Sequence, residues 1–249
     1  NVGVFAQTEL TFSERVGLNV GARWDDISYY YRSYVRPVLD QSRSFRRVTP
    51  KLGLTYRFSP GQSFYANVGG GIEVPAGNET DPASTFGQDT VTALNPLLEP
   101  IRSTTYELGF KSIAPLSSEN AFGFSYDVAA YATDVTNEII PYRGGRFYFM
   151  AGKARRIGGE VGAEVQHRRG PFVQGAFTLS RNRYVDYVVD SIHYGRAGAF
   201  ADYADNQIVG IPSVMANVAA GSDLPFLRGV RIKGGAHHTG KYFADDGNS

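Results

Sequence analysis

The sequence predicts an all-β chain, an antiparallel up-and-down barrel whose strands cross a membrane. Three observations lead there. Segments of period-two hydrophobicity are joined alternately by tight turns and long polar loops, so the short joints gather at one end of the strands and the long joints at the other. The tight joints are Ser13–Arg15, Ser59–Gln62, Ile113–Asn120, Arg168–Pro171 and Ser222–Leu227; the long ones run near Asp26–Arg47, Pro75–Ile101, Ile139–Arg146 and Asp190–Gly210. Composition agrees: 29 Gly, 16 Tyr and 16 Phe suit a wall that curves and is anchored at its rims. Aromatics also gather on the long-loop side, at Trp24, Tyr29–Tyr31, Phe147–Phe149, Tyr184 and Tyr187, where an interfacial girdle would lie.

About ten strands follow in order from alternation and turn chemistry. The first, Val2–Phe12, sets Val2, Val4, Ala6, Leu10 and Phe12 against Gln7 and Glu9. The second begins at Val16, with Leu18, Val20, Ala22 and Trp24 opposite Asn19, Arg23 and Asp25. The third opposes Leu52, Leu54, Tyr56 and Phe58 to Lys51 and Arg57; the fourth opposes Phe64, Ala66, Val68 and Ile72 to Asn67 and Glu73. The fifth carries Tyr106, Leu108 and Phe110 against Glu107 and Lys111, and the sixth Phe122, Phe124, Tyr126 and Val128 against Asp127. In the seventh, Ile157, Val161, Ala163 and Val165 alternate with Glu160 and Glu164; the eighth begins at Phe172 with Val173, Phe177 and Leu179. The ninth holds Val214, Ala216, Val218 and Ala220, and the tenth sets Val230, Ile232 and Ala236 against Arg231, Lys233 and His237.

Alternation alone also fits a soluble β-sandwich, whose apolar faces meet across a core. Strand length favours the barrel, because many of these segments reach ten residues or more against about five or six in ordinary sheets. The apolar faces are also rich in Ala and Gly, adequate against lipid but poor filling for a dense interior. No run approaches the roughly 18 apolar residues of a membrane helix, which leaves strands as the crossing element. Asn1–Phe5 already reads as mid-strand, so the natural N-terminus is expected upstream.

The same residues narrow function. The chain has 0 Cys, which removes disulfides and thiol chemistry, and a net charge of +1, which argues against a nucleic-acid partner. The run Lys153–Arg156 reads as a solvated strand end. No catalytic constellation, metal site or cofactor motif is expected. His167, His193, His237 and His238 are scattered, and the adjacent pair would face opposite sides of a strand. Asp245–Asp246 reads as a polar loop, and Gly69–Gly71 as barrel curvature.

Several segments resemble the C-terminal barrel of TonB-dependent outer-membrane receptors. Leu94–Lys111 is similar to that family's NP.L.PE.S..YE.G.K stretch; Asn137–Ile139, Ala151–Ala154 and Gly158–Glu160 follow its N.AGKAR..G.E pattern. Gly210–Pro212 with Ala216–Asn217, and then Lys241–Asn248, resemble its GVP.H.AN and Y.DD.N segments. Ile101 departs from the usual Glu, and the residue before Ala216 from the usual His or polar residue. Family barrels have about 22 strands and a plugged lumen. The resemblance therefore implies that residues 1–249 are part of a larger barrel, with the plug domain and the last strands absent.

What the resemblance implies for function is energised uptake, across the outer membrane of a Gram-negative bacterium, of a ferric siderophore or similar scarce nutrient. The expected partners are outer-membrane lipid, the extracellular ferric chelate, and the TonB complex through a missing N-terminal region. Wall charges Glu9, Arg23, Arg57, Glu73, Glu107, Lys111, Asp127, Glu160, Glu164 and Arg231 would face water or a plug. Tyr142, Arg143, Arg146 and Tyr148 form the expected substrate-binding loop, where guanidinium pairs with anions and rings stack on ligands. A passive porin and a soluble ligand-binding sandwich are the alternatives; the porin would need an inward constriction loop, for which the sequence offers no signal.

Overall fold

A computed structural model describes residues 1–32, 34, 40–76, 99–117, 119–142, 147–189, 198, 200–224, 226–227 and 229–249, with the backbone alone at 141–142, 147–149 and 151. The strands are β1 (Val2–Thr11), β2 (Val16–Tyr31), β3 (Gln41–Ser59), β4 (Gln62–Glu73), β5 (Ile101–Ala114), β6 (Phe122–Tyr142), β7 (Phe147–His167), β8 (Phe172–Asp186), β9 (Val188–Val189), β10 (Ala201–Asp202), β11 (Val214–Asp223) and β12 (Arg231–Thr239). Ten of them form one sheet in the order β1-β2-β3-β4-β5-β6-β7-β8-β11-β12, and β9 with β10 makes a separate two-stranded ribbon. Every pairing in the large sheet is antiparallel. This is the partial up-and-down barrel wall that the alternation predicts.

Register turns ten local patterns into two surfaces. One row of directly paired residues runs Leu10, Leu18, Leu54, Ala66, Leu108, Ala130, Gly159, Leu179, Val214 and holds no polar side chain. The neighbouring row on the opposite face runs Glu9, Asn19, Gly53, Asn67, Glu107, Tyr131, Gly158, Ser180. A slip of one residue at any strand would exchange these faces, so the pattern holds each register in place. Leu108 is 65% exposed within the chain, and among the described residues no second sheet lies across from it. The soluble sandwich is thereby excluded: it requires a facing layer.

Several strands are longer than the sequence predicts. β6 and β7 each run 21 residues, and the expected long joint from Ile139 shrinks to residues 143–146. At ~3.3 Å per residue such strands are about 70 Å long, and a tilt of about 40° still lifts them roughly 53 Å, twice the ~25 Å apolar band of an outer-membrane barrel. Beyond Thr136 and before Lys153 the two strands pair only with each other, as a two-stranded ribbon whose Ile140 packs into the buried cluster. β2 and β3 likewise extend to Tyr31 and from Gln41, into the stretch expected as loop. Above the apolar band the ribbons are held by backbone pairing, and no apolar stripe is needed.

Pro50 lies in the middle of β3, where a missing N–H would break a ladder. Pairing to β4 ends beside it, at Lys51↔Gly69. Gly70 makes room for the ring, since a Cβ there would stand 3.3 Å from Pro50 Cδ. The glycine run thus has a local cause beyond curvature.

The aromatic girdle also differs from expectation. A chain of ring contacts crosses the apolar face at the short-turn end: Phe58–Phe64 at 5.3 Å, Phe64–Phe110 at 4.9 Å, Phe110–Tyr126 at 5.4 Å and Phe124–Tyr126 at 5.2 Å. On the long-loop side Trp24 and Tyr30 do lie on the apolar face, but Tyr29 and Tyr184 fall on the polar one. Phe147, Tyr148 and Phe149 pair at the β6–β7 tip, where only their backbone is described.

Candidate functional site

The polar face is the surface on which chemistry can occur. All ten wall charges expected from the sequence share it, because each lies on the residue parity opposite the apolar row. Some are paired within the chain. Arg23 Nε donates to Asp25 at 2.8 and 3.0 Å, and Arg231 Nε to Asp223 at 2.7 Å.

Cross-strand glycines shape this face. A Cβ on Gly109 would stand 2.2 Å from Tyr65, and one on Gly158 would stand 2.5 Å from the Tyr131 hydroxyl. Tyr65 pairs with Gly109, and Tyr131 with Gly158. Each ring therefore lies flat over the backbone of its partner, which only glycine allows.

Sequence reasoning missed Glu138 and Arg156. Asn137 has φ 60°, a left-handed conformation that Asn tolerates, and pairing skips from Thr136↔Lys153 to Glu138↔Ala151. The irregularity turns the Glu138 carboxylate towards Arg156, whose Nη2 donates to it at 2.5 Å. Glu138 Oε2 and Arg156 Nε stay buried without a hydrogen-bond partner. The one available signal was Asn inside a strand, a poor strand former.

The buried core is small and lies at the long-loop end of the polar face. It comprises Val135, Ile140, Ala154, Tyr184, Tyr187, Val189 and Ile208, with Ile101, Tyr203 and Ile211 packed against it. The described residues 187–189 and 200–213, including β9 and β10, fold back onto the end of β8. Tyr203 N donates to Tyr187 O at 2.9 Å, Asp205 N to Tyr184 O at 2.9 Å and Ile208 N to Asn182 O at 3.0 Å. Tyr184 and Tyr187, expected in the girdle, are each 2% exposed, with ring centroids 4.7 Å apart.

Both tyrosines point their hydroxyls at Asp246, Tyr184 at 3.1 Å and Tyr187 at 3.0 Å. Asn206 Nδ2 donates to the Asp246 carbonyl at 2.7 Å, while Gln207 and Asn248 exchange bonds of 2.7 and 2.9 Å. Asp246 is thus a latch between two segments distant in sequence. Burial, with the Asp246 charge next, raises the Tyr187 phenol above its ordinary pKa of 10.0.

The expected capture residues are in part brought together. Tyr142 closes β6 opposite Phe147, and Tyr148 pairs with Pro141, so both stand at one hairpin tip. Arg143 and Arg146 lie outside the described residues. Among the described residues no group of three or more His, Asp or Glu is placed to hold a metal ion. His237 bonds Thr239 at 2.9 Å, and His167 packs on Phe122 at 4.7 Å.

Residues 1–249 match the family described as TonB dependent receptor-like, beta-barrel. Solved structures resemble the chain in fold. The ferric yersiniabactin uptake receptor FyuA from Yersinia pestis superposes with a TM-score of 0.69 at 15% identity, covering 99% of this chain and 35% of that one. The ferric-catecholate import receptor Fiu from K12 E. coli gives 0.64 at 17% identity, covering 98% and 35%. The copper transporter OprC gives 0.65 at 18% identity, covering 90% and 31%. The chain spans about a third of the length of these structures.

Proposed function

Because this chain belongs to the TonB-dependent receptor β-barrel family, we propose that it is part of the wall of an outer-membrane receptor that binds and imports a scarce nutrient. The cargo is a ferric siderophore or another iron chelate, and the energy comes from the TonB complex through a region outside this chain. Residues 1–249 contribute a sector of the barrel, with its apolar face in the lipid of a Gram-negative outer membrane. The observation that carries this reading is the row without a polar side chain that crosses nine strands, with the ten wall charges on the other face. The names of the structures it resembles, which include ferric-catecholate import and copper transport, support a metal-bearing cargo.

On this reading the β6–β7 tip meets the ligand first. Tyr142 and Tyr148 supply rings, and Arg143 and Arg146 supply charge for an anionic chelate. Residues 200–213, folded back onto β8, would also suit a passive porin, but family membership favours the energised receptor.

The test is radioiron uptake by cells carrying the full-length receptor, offered a panel of ferric chelates with and without the membrane potential. Uptake of one chelate that stops when the potential is collapsed is the expected result. Diffusion-like uptake indifferent to the potential would refute the proposal. Replacing Arg143 and Arg146 by Ala should weaken capture of that chelate; unchanged uptake would dispose of their role.

A further inference from the structure

The apolar face gives way to cations at its long-loop end. One step above the row without polar side chains, direct pairing runs Leu52, Val68, Tyr106, Ala132, Ile157, Arg181. The next row runs Gly70, Thr104, Asp134, Arg155, Arg183. Arg155, Arg181 and Arg183 therefore share the face that meets lipid. From Phe172 at the foot of β8, Arg181 stands about 23 Å up the wall and Arg183 about 28 Å, at ~3.3 Å per residue and a tilt of about 40°. That height is the edge of a ~25 Å apolar band, where an outward arginine reaches the headgroups.

The charges there are unbalanced. Arg155 and Arg183 are direct partners across the ladder, a placement in which like charges repel. Asp134 accepts from Arg155 Nε at 2.6 Å. Arg181 is exposed and makes no side-chain hydrogen bond or ion pair among the described residues. Three guanidiniums against one carboxylate leave two positive charges. One step higher, Lys153 stands opposite Asp186, which adds no net charge. A phosphate monoester carries roughly −1.5 to −2 at neutral pH and takes guanidinium in bidentate fashion, so it matches this excess.

Below the cations, β6 sets Ala130 and Ala132 between the larger Tyr106, Leu108 and Ile157 of its neighbours. The small residues leave an apolar groove of about 710 Å³ that reaches Ile157, the direct partner of Arg181. Arg183 is also tied to the fold-back above β11. Its Nη1 donates to the Asp205 carbonyl at 2.7 Å, and Asp205 N donates to Tyr184 O at 2.9 Å. An anion that orders the Arg183 guanidinium thus orders the segment it holds.

We propose that this part of the outer wall binds a lipid whose headgroup carries a phosphate monoester, with an acyl chain in the groove, and that the bound headgroup steadies residues 200–213 through Arg183. The site rests on the apolar face lying in lipid, and it is independent of the cargo.

The full-length receptor in detergent micelles is offered dioleoyl phosphatidate, dioleoyl phosphatidylcholine or inorganic phosphate, and retained lipid is counted by native mass spectrometry. Phosphatidate should bind at least about tenfold more weakly to Arg155→Gln/Arg181→Gln than to the unchanged receptor, whereas phosphatidylcholine should bind both alike. Bound phosphatidate should slow hydrogen exchange of the Asp205 amide at least about threefold, and Arg183→Gln should abolish that slowing. Equal affinity of the two receptors for phosphatidate, its displacement by inorganic phosphate at equal concentration, or exchange at Asp205 indifferent to the lipid overturns the proposal. A receptor that binds phosphatidate as expected yet imports no chelate counts against the uptake reading alone.

Discussion

Asp246→Ala should loosen residues 200–213 and leave the wall intact. The carboxylate accepts hydrogen bonds from Tyr184 and Tyr187, both 2% exposed. Removing it orphans two buried hydroxyls, each costing about 1–3 kcal/mol. Asp246 itself is half-buried, so water relieves part of this cost, and the lower range of about 2–4 kcal/mol is expected. Local opening rather than global unfolding should absorb it, since the described residues of β1 to β4, and of β5 beyond Ile101, lie outside the buried cluster around Tyr184 and Tyr187. Hydrogen–deuterium exchange of the full-length receptor in micelles reads this directly. The amides of Tyr203, Asp205 and Ile208, bonded to Tyr187, Tyr184 and Asn182, should exchange roughly 30- to 700-fold faster. Amides of β5 should not change. Tyr187→Phe alone should cost about 0.5–1.5 kcal/mol and should add little in the Asp246→Ala background, because the bond is already gone. Unchanged protection at the three amides, or equal acceleration in β5, would refute the latch.

Three further outcomes are expected. The raised Tyr187 phenol contributes stability that is complete below its ordinary pKa of 10.0 and is lost as the pH climbs from there towards the folded value, so exchange of the Tyr203, Asp205 and Ile208 amides should accelerate in alkali and Tyr187→Phe should flatten that dependence. Leu108→Arg puts a cation on the apolar face and should destabilise the membrane-inserted barrel by about 2–4 kcal/mol near the midplane, measured by urea titration in bilayers, whereas Glu107→Gln next to it on the polar face should change little. Gly109→Ala should cost about 1–3 kcal/mol in the same titration because its Cβ would strike the Tyr65 ring, while Gly69→Ala, whose Cβ meets nothing nearer than Lys51 Cγ at 4.0 Å, should be nearly neutral; equal costs would show that lumen glycines serve curvature alone.

Strand identity, order and facing were legible because a side chain in a pleat has only two directions, and lipid on one side imposes apolar residues along that parity. Leu10, Leu18, Leu54 and Leu108 could each be assigned to the apolar face from their own neighbours, before any pairing was known. The wall charges were legible for the same reason. Strand length was not, because the ribbons formed by Tyr29–Tyr31 with Gln41–Arg43, and by Ile139–Tyr142 with Phe147–Met150, stand above the band where alternation is enforced. There pairing depends on backbone hydrogen bonds, which carry no side-chain signature.

By itself, then, the chain's one-dimensional pattern determined an antiparallel wall with an oily side and an ionised side, since that needs only the parity of each residue. The tertiary structure alone decided which long-range partners meet. Glu138 reaches Arg156 through a backbone turn at Asn137, Tyr184 and Tyr187 leave the expected girdle for Asp246, and Arg43 settles on Phe45. Such contacts join residues as far apart as 62 positions, and no local periodicity encodes a distance of that kind.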